Sequence, residues 1–195
     1  MTLDAIPSPI RDKFEIHEWK HAVAILKEDF PDEWQDLLDM LSALTIPRSW
    51  IITPGGNRSR LAAWLDDFMS ARGWCERGFK TAIKVDETET DTPTHKIDCF
   101  KNCVALELEW NNKDPFFDRD LNNFRLLFDL RTVSVGIIIT RCDDLQEIFD
   151  ELGRGASYGA STTHMSKLLP RIEGGGGAGC PILVFGIRKC CIKEA

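Results

Sequence analysis

The chain has 195 residues, 43% hydrophobic and 28% charged, which suits one folded domain over residues 1–195 and excludes wholesale disorder and fibrous repeats. No apolar stretch reaches the roughly 18 residues needed to cross a bilayer, so no membrane-spanning helix is expected. A formal net charge of −7 excludes a nucleic-acid binder that works through its whole surface.

In chain order, residues 17–44 read as two helices. Pro31 opens the second, and Trp34, Leu37, Leu38 and Leu41 recur at helical spacing. Ser49-Trp50-Ile51-Ile52 is a short apolar segment that ends at the turn Pro54-Gly55-Gly56. Asn57 or Ser59 then caps a helix to about residue 71, with Leu61, Trp64, Leu65, Phe68 and Met69 on its apolar face and Gly73 as its stop. Three extended segments follow, near 79–85, 95–100 and 104–110. Phe117, Leu121, Phe124 and Phe128 make the stripe of a helix near 116–130. Residues 133–140 (VSVGIIIT) suit a central strand buried on both faces. Helices near 144–152 and 162–169 and a closing strand at 182–187 complete an α/β order: a mixed central β-sheet flanked by helices.

The chemistry concentrates on one hairpin. Asp98 lies in one extended segment. Glu107 and Glu109 stand two apart on the next, so they leave one face of it. The link Lys101-Asn102-Cys103 is short enough to bring Asp98 near Glu107. Strand-borne acids commonly face solvent, but ELEW alternates two acids with apolar residues inside what should be a core strand, where acids need a partner or a metal. Crowded carboxylates repel one another unless a cation neutralises them, and hard oxygen donors at that density suit Mg²⁺. Glu87 and Glu89 are upstream candidates for a further ligand, set against an ordinary solvated loop.

Asp98, eight residues, then Glu107-x-Glu109 resembles the PD-(D/E)xK nuclease signature, and more closely the BglII/BstYI-like type II restriction endonucleases. The likeness extends to the flanks: PGGNRSRLAAWLDDFMSARGW at 54–74, IDCFKNCVALELEWNNKDPFF around the acids, GASYGASTT at 155–163, and GCPILVFGI near the end. The opening, residues 17–41, carries the family's Pro-x-x-Trp before an acidic helix. Ile97 stands where the signature has proline. Glu109 stands where it has lysine, often glutamine in these relatives.

The resemblance implies a restriction-endonuclease-like fold and a homodimer that cuts double-stranded DNA at a short palindrome, leaving 5′-phosphates. It implies Asp98 and Glu107 as Mg²⁺ ligands, with Glu109 placed to position or deprotonate the attacking water. The relatives' sites centre on GATC, an expectation only for this chain. Asn111, Asn112 and Lys113 follow the acid strand directly and suit base edges or phosphate, or form a polar turn. Arg154, Ser157, Tyr158 and Ser161 fill a second polar loop that reaches toward the groove or simply connects two elements. Arg58 and Arg60 offer phosphate contacts or plain helix charge.

Residues 151–195 hold six Lys/Arg and three Asp/Glu, net +3, which leaves −10 on residues 1–150. A basic end on an acidic body permits a local DNA footprint.

Other motifs rank lower. His17-Glu18-Trp19-Lys20-His21 matches HExxH, the zinc-protease pattern, yet lies too near the start for a preceding sheet. The glycine run at 174–179 lacks the Lys-Ser/Thr of a phosphate loop. Seven cysteines without a disulfide rhythm, and no signal-like N-terminus, point to free thiols in the cytoplasm. His95 and His164 stand alone. The rival reading is a DNA-binding protein with a decayed nuclease site on the same fold.

Overall fold

The computed structural model describes residues 2–53, 58–92 and 94–194. The turn expected at Pro54, Gly55 and Gly56, and the alternative cap Asn57, lie outside them.

The chain opens with α1 (Ser8–Lys13), β1 (Phe14–Trp19), α2 (Ala22–Asp29) and α3 (Pro31–Ala43). Then come β2 (Ile46–Pro47), α4 (Arg48–Ile52), α5 (Arg60–Ser70), β3 (Cys75–Arg77), β4 (Ala82–Val85) and β5 (Thr88–Asp91). The centre is β6 (Ile97–Lys101), β7 (Val104–Glu109), α6 (Phe116–Asp129) and β8 (Val135–Arg141). The chain closes with α7 (Leu145–Glu151), α8 (Met165–Glu173), β9 (Ile182–Ile187) and β10 (Ile192–Lys193).

Six strands form the main sheet in the order β1-β9-β8-β7-β6-β3. The pairs β7/β8 and β8/β9 are parallel and the rest antiparallel, so the sheet is mixed. Strand alternation then builds two cores. Leu106, Leu108, Ile137, Ile139 and Phe185 face Leu26, Leu37, Leu41 and Leu65 of α2, α3 and α5. Ala105, Ile138 and Val184 face Phe117, Leu121 and Phe124 of α6 and Leu168 of α8. β8 is buried on both faces, as its run of β-branched residues predicts.

One glycine sets the depth of α6. A Cβ at Gly136 would stand 2.4 Å from Phe124 Cδ2, so only a residue without a side chain lets the helix lie this close to β8.

Three expectations are corrected, and one segment that the sequence leaves without a type is assigned. Residues 17–19 belong to strand β1, not to a helix: Phe14-Glu15-Ile16-His17-Glu18-Trp19 pairs antiparallel along all of β9, and positive φ at Lys20 and His21 ends it. The two histidines of HExxH therefore do not share a helical face. The apolar segment at 49–52 is the short helix α4. The segment at 79–85 does not join the sheet; only Ala82–Val85 is extended, paired with β5 in an exposed two-stranded ribbon, while β3 forms the sheet edge. The helix expected at 162–169 starts later, at Met165, because Thr162 and Thr163 are drawn into a loop contact described below.

All seven cysteines are free. Among the described residues no helix is long and apolar enough to cross a membrane.

Candidate active site

β6 and β7 form a two-residue hairpin, with Lys101 paired to Val104 and Cys99 to Leu106. Asn102 and Cys103 both take positive φ (45° and 68°), as the tightest hairpin turns demand. Lys101 ties the tip to α3, its Nζ donating to Asp36 Oδ2 at 2.8 Å.

One step beyond Cys99 and Leu106 come Asp98 and Glu107. Here side chains take over the backbone donors. The Leu108 N–H donates to Asp98 Oδ2 (3.0 Å), and the Asp98 N–H donates to Glu107 Oε2 (3.2 Å). Glu107 and Glu109 are 0% and 1% exposed, on the α6 side of the sheet.

A fourth carboxylate joins them from α6. Asp120 is also 0% exposed. Arg119 donates to its Oδ1 from Nε (2.9 Å) and stands 2.8 Å from it through Nη2, and the same Nη2 reaches Glu109 Oε1 at 3.4 Å. Asn112 Nδ2 donates to Glu109 Oε2 at 2.9 Å.

Burial is the main force on these acids. It raises Asp98, against the Leu108 N–H and the charge of Arg119, which favour its ionised form. It pushes Glu107 well above the ordinary carboxylate range, helped by repulsion from Asp120 and Asp98. It lifts Glu109 to about 9, helped by Asp120. Asp120 rises to about 6, held down by Arg119 and by a hydrogen bond with Glu109. Of the two, Glu109 holds its proton the more strongly.

The donor set is of the hard-oxygen kind, and two of its oxygens, Glu107 Oε1 and Asp120 Oδ2, are buried without a hydrogen-bond partner. Such oxygens suit a divalent cation. Asp98 and Glu107 therefore fit a metal as a pair. The expected enclosure by all three signature acids is not formed: among the described residues no group of three or more His, Cys, Asp or Glu side chains is arranged to hold a metal ion. The physical reason is that Glu109 is engaged by Arg119, Asn112 and Asp120.

Asp98 opens on a cleft of about 720 Å³ that Asn111, Asn112, Arg154, Tyr158 and Arg58 also line. The two polar loops expected to meet DNA are joined. Lys113 bridges Thr162, the Thr163 N–H donates to Asn112 O (2.9 Å), and the Asp114 N–H donates to Ser161 O (3.0 Å). Asn111, Lys113, Ser157 and Ser161 are exposed; Asn112 and Arg154 are half-buried, and Arg154 Nε is buried without a partner. Tyr158 is buried. Its ring stacks on Phe149 at 4.0 Å and its hydroxyl accepts from Trp110 Nε1 at 3.3 Å.

Elsewhere, Arg58 pairs with Asp66, and Arg60 lies exposed in the first turn of α5, which Ser59 caps through the Ala62 N–H. Glu87 and Glu89 are exposed on the β4–β5 ribbon, outside the main sheet.

Sequence reasoning missed three residues. Asp120 lies among Phe117, Leu121 and Phe124 on the buried stripe of α6, and an acid inside an apolar stripe was the available signal. Arg119 is its neighbour. Arg141, 1% exposed at the end of β8, donates to Tyr158 O (2.6 Å) and Thr162 Oγ1 (3.0 Å) and so anchors the second loop. An arginine directly after VSVGIIIT was its only trace.

A mixed sheet flanked by helices, with buried acids on a central hairpin beside a polar cleft, is the architecture of the restriction-endonuclease-like phosphodiester hydrolases. The family model described as Restriction endonuclease BglII/BglIII matches residues 14–187, and the chain belongs to that family. It is a type II site-specific deoxyribonuclease of a restriction system, and DNA is its partner. Enzymes of this kind typically use a divalent metal. No curated protein matches the chain.

Proposed function

We propose that this enzyme is a cytoplasmic homodimer that cuts both strands of duplex DNA at a short palindrome, with Mg²⁺ held by Asp98 and Glu107. A two-fold dimer presents each site twice, once per strand, and so suits a palindrome. The observation that carries the reading is the Asp98–Glu107 pair at the point where the hairpin ladder gives out, beside the cleft. The cation, when bound, would acidify a coordinated water and clamp a phosphoryl oxygen.

Asp98 opens on the cleft, and Glu107, buried on the α6 side of β7, stands behind it and accepts from the Asp98 N–H. Glu109, with Asn112 and Arg119 on its two oxygens, orients the attacking water and, ionised once a cation occupies the site, would take its proton. The new bond joins water oxygen to phosphorus. The bond to the 3′-oxygen breaks, the 3′-oxyanion takes a proton from solvent, and the phosphate stays on the 5′ end. Asn111, Asn112, Lys113, Arg154, Ser157 and Ser161 meet the DNA, with Tyr158 stacked behind them as the support of the second loop. Amide side chains pair with adenine, and guanidinium or ammonium groups with guanine or phosphate. A GATC centre is the first sequence to try.

Plasmid digestion with Mg²⁺, and again with EDTA, tests this directly. Discrete fragments that vanish with EDTA are expected. Asp98→Asn and Glu107→Gln should each lower cutting by about 10³-fold or more while leaving DNA retention in a gel unchanged. A gel shift by the wild type with no fragments would establish the decayed binder instead. Sequencing the cut ends reads the palindrome and the 5′-phosphate.

A further inference from the structure

The third signature position poses a problem of charge. Where a lysine would place a fixed cation beside the two metal-binding acids, this chain places Glu109, a carboxylate. Strand β7 thus supplies no fixed positive charge at the point where an anionic phosphate must approach. Among the described residues, no Lys or Arg other than Arg119 forms an ion pair with Asp98, Glu107, Glu109 or Asp120.

Arg119 is built into place. Its guanidinium lies 4.1 Å from the Phe116 ring centroid, which fixes it from one side. Two of its nitrogens converge on one oxygen of the fully buried Asp120, and one of them reaches Glu109. Because both donors use Oδ1, the other oxygen of Asp120 stays buried and unpartnered, as does Oε1 of Glu107. A buried acid kept with a free oxygen is costly unless something else is to meet it. The close seat of α6 on Gly136 brings both residues to the strand.

We propose that Arg119 returns from α6 the positive charge that Glu109 withholds from the signature, with Asp120 as the anchor that holds it against Glu109. Arg119 is a positioning residue: it touches Glu109 and Asp120, not the DNA. The assignment rests on the nuclease reading above, because it gives Arg119 a task only where a phosphate is cut.

The test compares full-length Arg119→Gln and Arg119→Lys with the wild type. Single-turnover cleavage of a plasmid that the wild type cuts is measured, together with Mn²⁺ binding to the DNA-free protein. Arg119→Gln should cut about 10²-fold more slowly. It should nevertheless bind Mn²⁺ as tightly as the wild type or a few-fold more tightly, because a cation has been removed beside the ion. Arg119→Lys keeps the charge and should recover cutting to within about tenfold of the wild type. A merely structural arginine would lose metal binding and cutting together and gain nothing from lysine, and that pattern overturns the proposal. Cutting by Arg119→Gln within about threefold of the wild type overturns it too. If Glu107→Gln also cuts normally, the nuclease site itself is misplaced; if Glu107→Gln is dead and Arg119→Gln is normal, the role of Arg119 alone fails.

Discussion

The two faces of β7 do opposite work. Leu106 and Leu108 point into the larger core, against α2, α3 and α5, where nothing but apolar contact is asked of them. Glu107 and Glu109, one residue over, point toward α6 and meet two more charged groups there. A strand with a two-residue period can therefore hold the fold with one set of side chains and carry acids at a cost in stability with the other. The apolar face secures what the acidic face would undo.

Neighbouring substitutions should separate the two roles. Leu106→Ala deletes a fully buried side chain and should cost about 2–5 kcal/mol of stability, read by urea unfolding, while the folded fraction still cuts. Glu107→Gln should abolish cutting yet leave the protein at least as stable, because a buried acid with an unpartnered oxygen is replaced by a neutral amide. A Glu107→Gln protein that unfolds as readily as Leu106→Ala would remove the contrast.

The acidic face should also show itself in pH dependence. An acid whose pKa is higher in the folded state keeps its proton where the unfolded chain has released it. Stability is then full below the unfolded value and falls as pH rises toward the folded one. For Glu109 that window runs from its ordinary 4.5 to about 9. His95, lowered by burial, acts in the opposite sense below its ordinary 6.5, and the buried thiols join only near their ordinary 9.0. Between about pH 7 and 8.5 the metal-free protein should therefore lose several degrees of Tm, and Glu109→Gln should flatten the slope. A Tm that rises over this interval would contradict the upward push that burial gives Glu109.

Gly136 links the faces. Gly136→Ala puts a methyl against the Phe124 ring, should cost about 1–3 kcal/mol, and should slow cutting by lifting Arg119 and Asp120 off β7. Full activity in a destabilised Gly136→Ala protein would show that the depth of α6 does not matter to the site.

The hairpin was legible in the sequence for the reason that makes the faces differ. Period-two alternation fixes which residues share a side, and three connecting residues leave little choice of register. What lay across from the acids was not legible. The stripe of α6 marks Asp120 as inward-facing but not as facing β7, because a helix pattern carries no address. Residues 17–19 read as helix because Trp19, Val23 and Leu26 satisfy helical spacing, and only the pairing with β9 decides for the strand. β3, three exposed residues, has no pattern at all. Nor does any local signal announce that Asn112 and Lys113 pair with Thr163 and Thr162, some fifty residues on.

Tyr158 gives the smallest effect and the sharpest test of where packing ends and DNA contact begins. It lies in a loop assigned to DNA, yet its ring belongs to a buried trio with Trp110 and Phe149. If its task is support, Tyr158→Phe removes only the acceptor for Trp110 Nε1. The cost should then be about 1 kcal/mol, or a few degrees of Tm, with DNA affinity in Ca²⁺ changed less than about threefold. Arg154→Ala, beside it, should weaken binding by about tenfold or more, since its guanidinium lines the cleft with a buried nitrogen still unpaired. Should Tyr158→Phe weaken binding as much as Arg154→Ala, the hydroxyl itself meets DNA, and the boundary between the packed and the polar side of the molecule runs behind Tyr158 rather than in front of it.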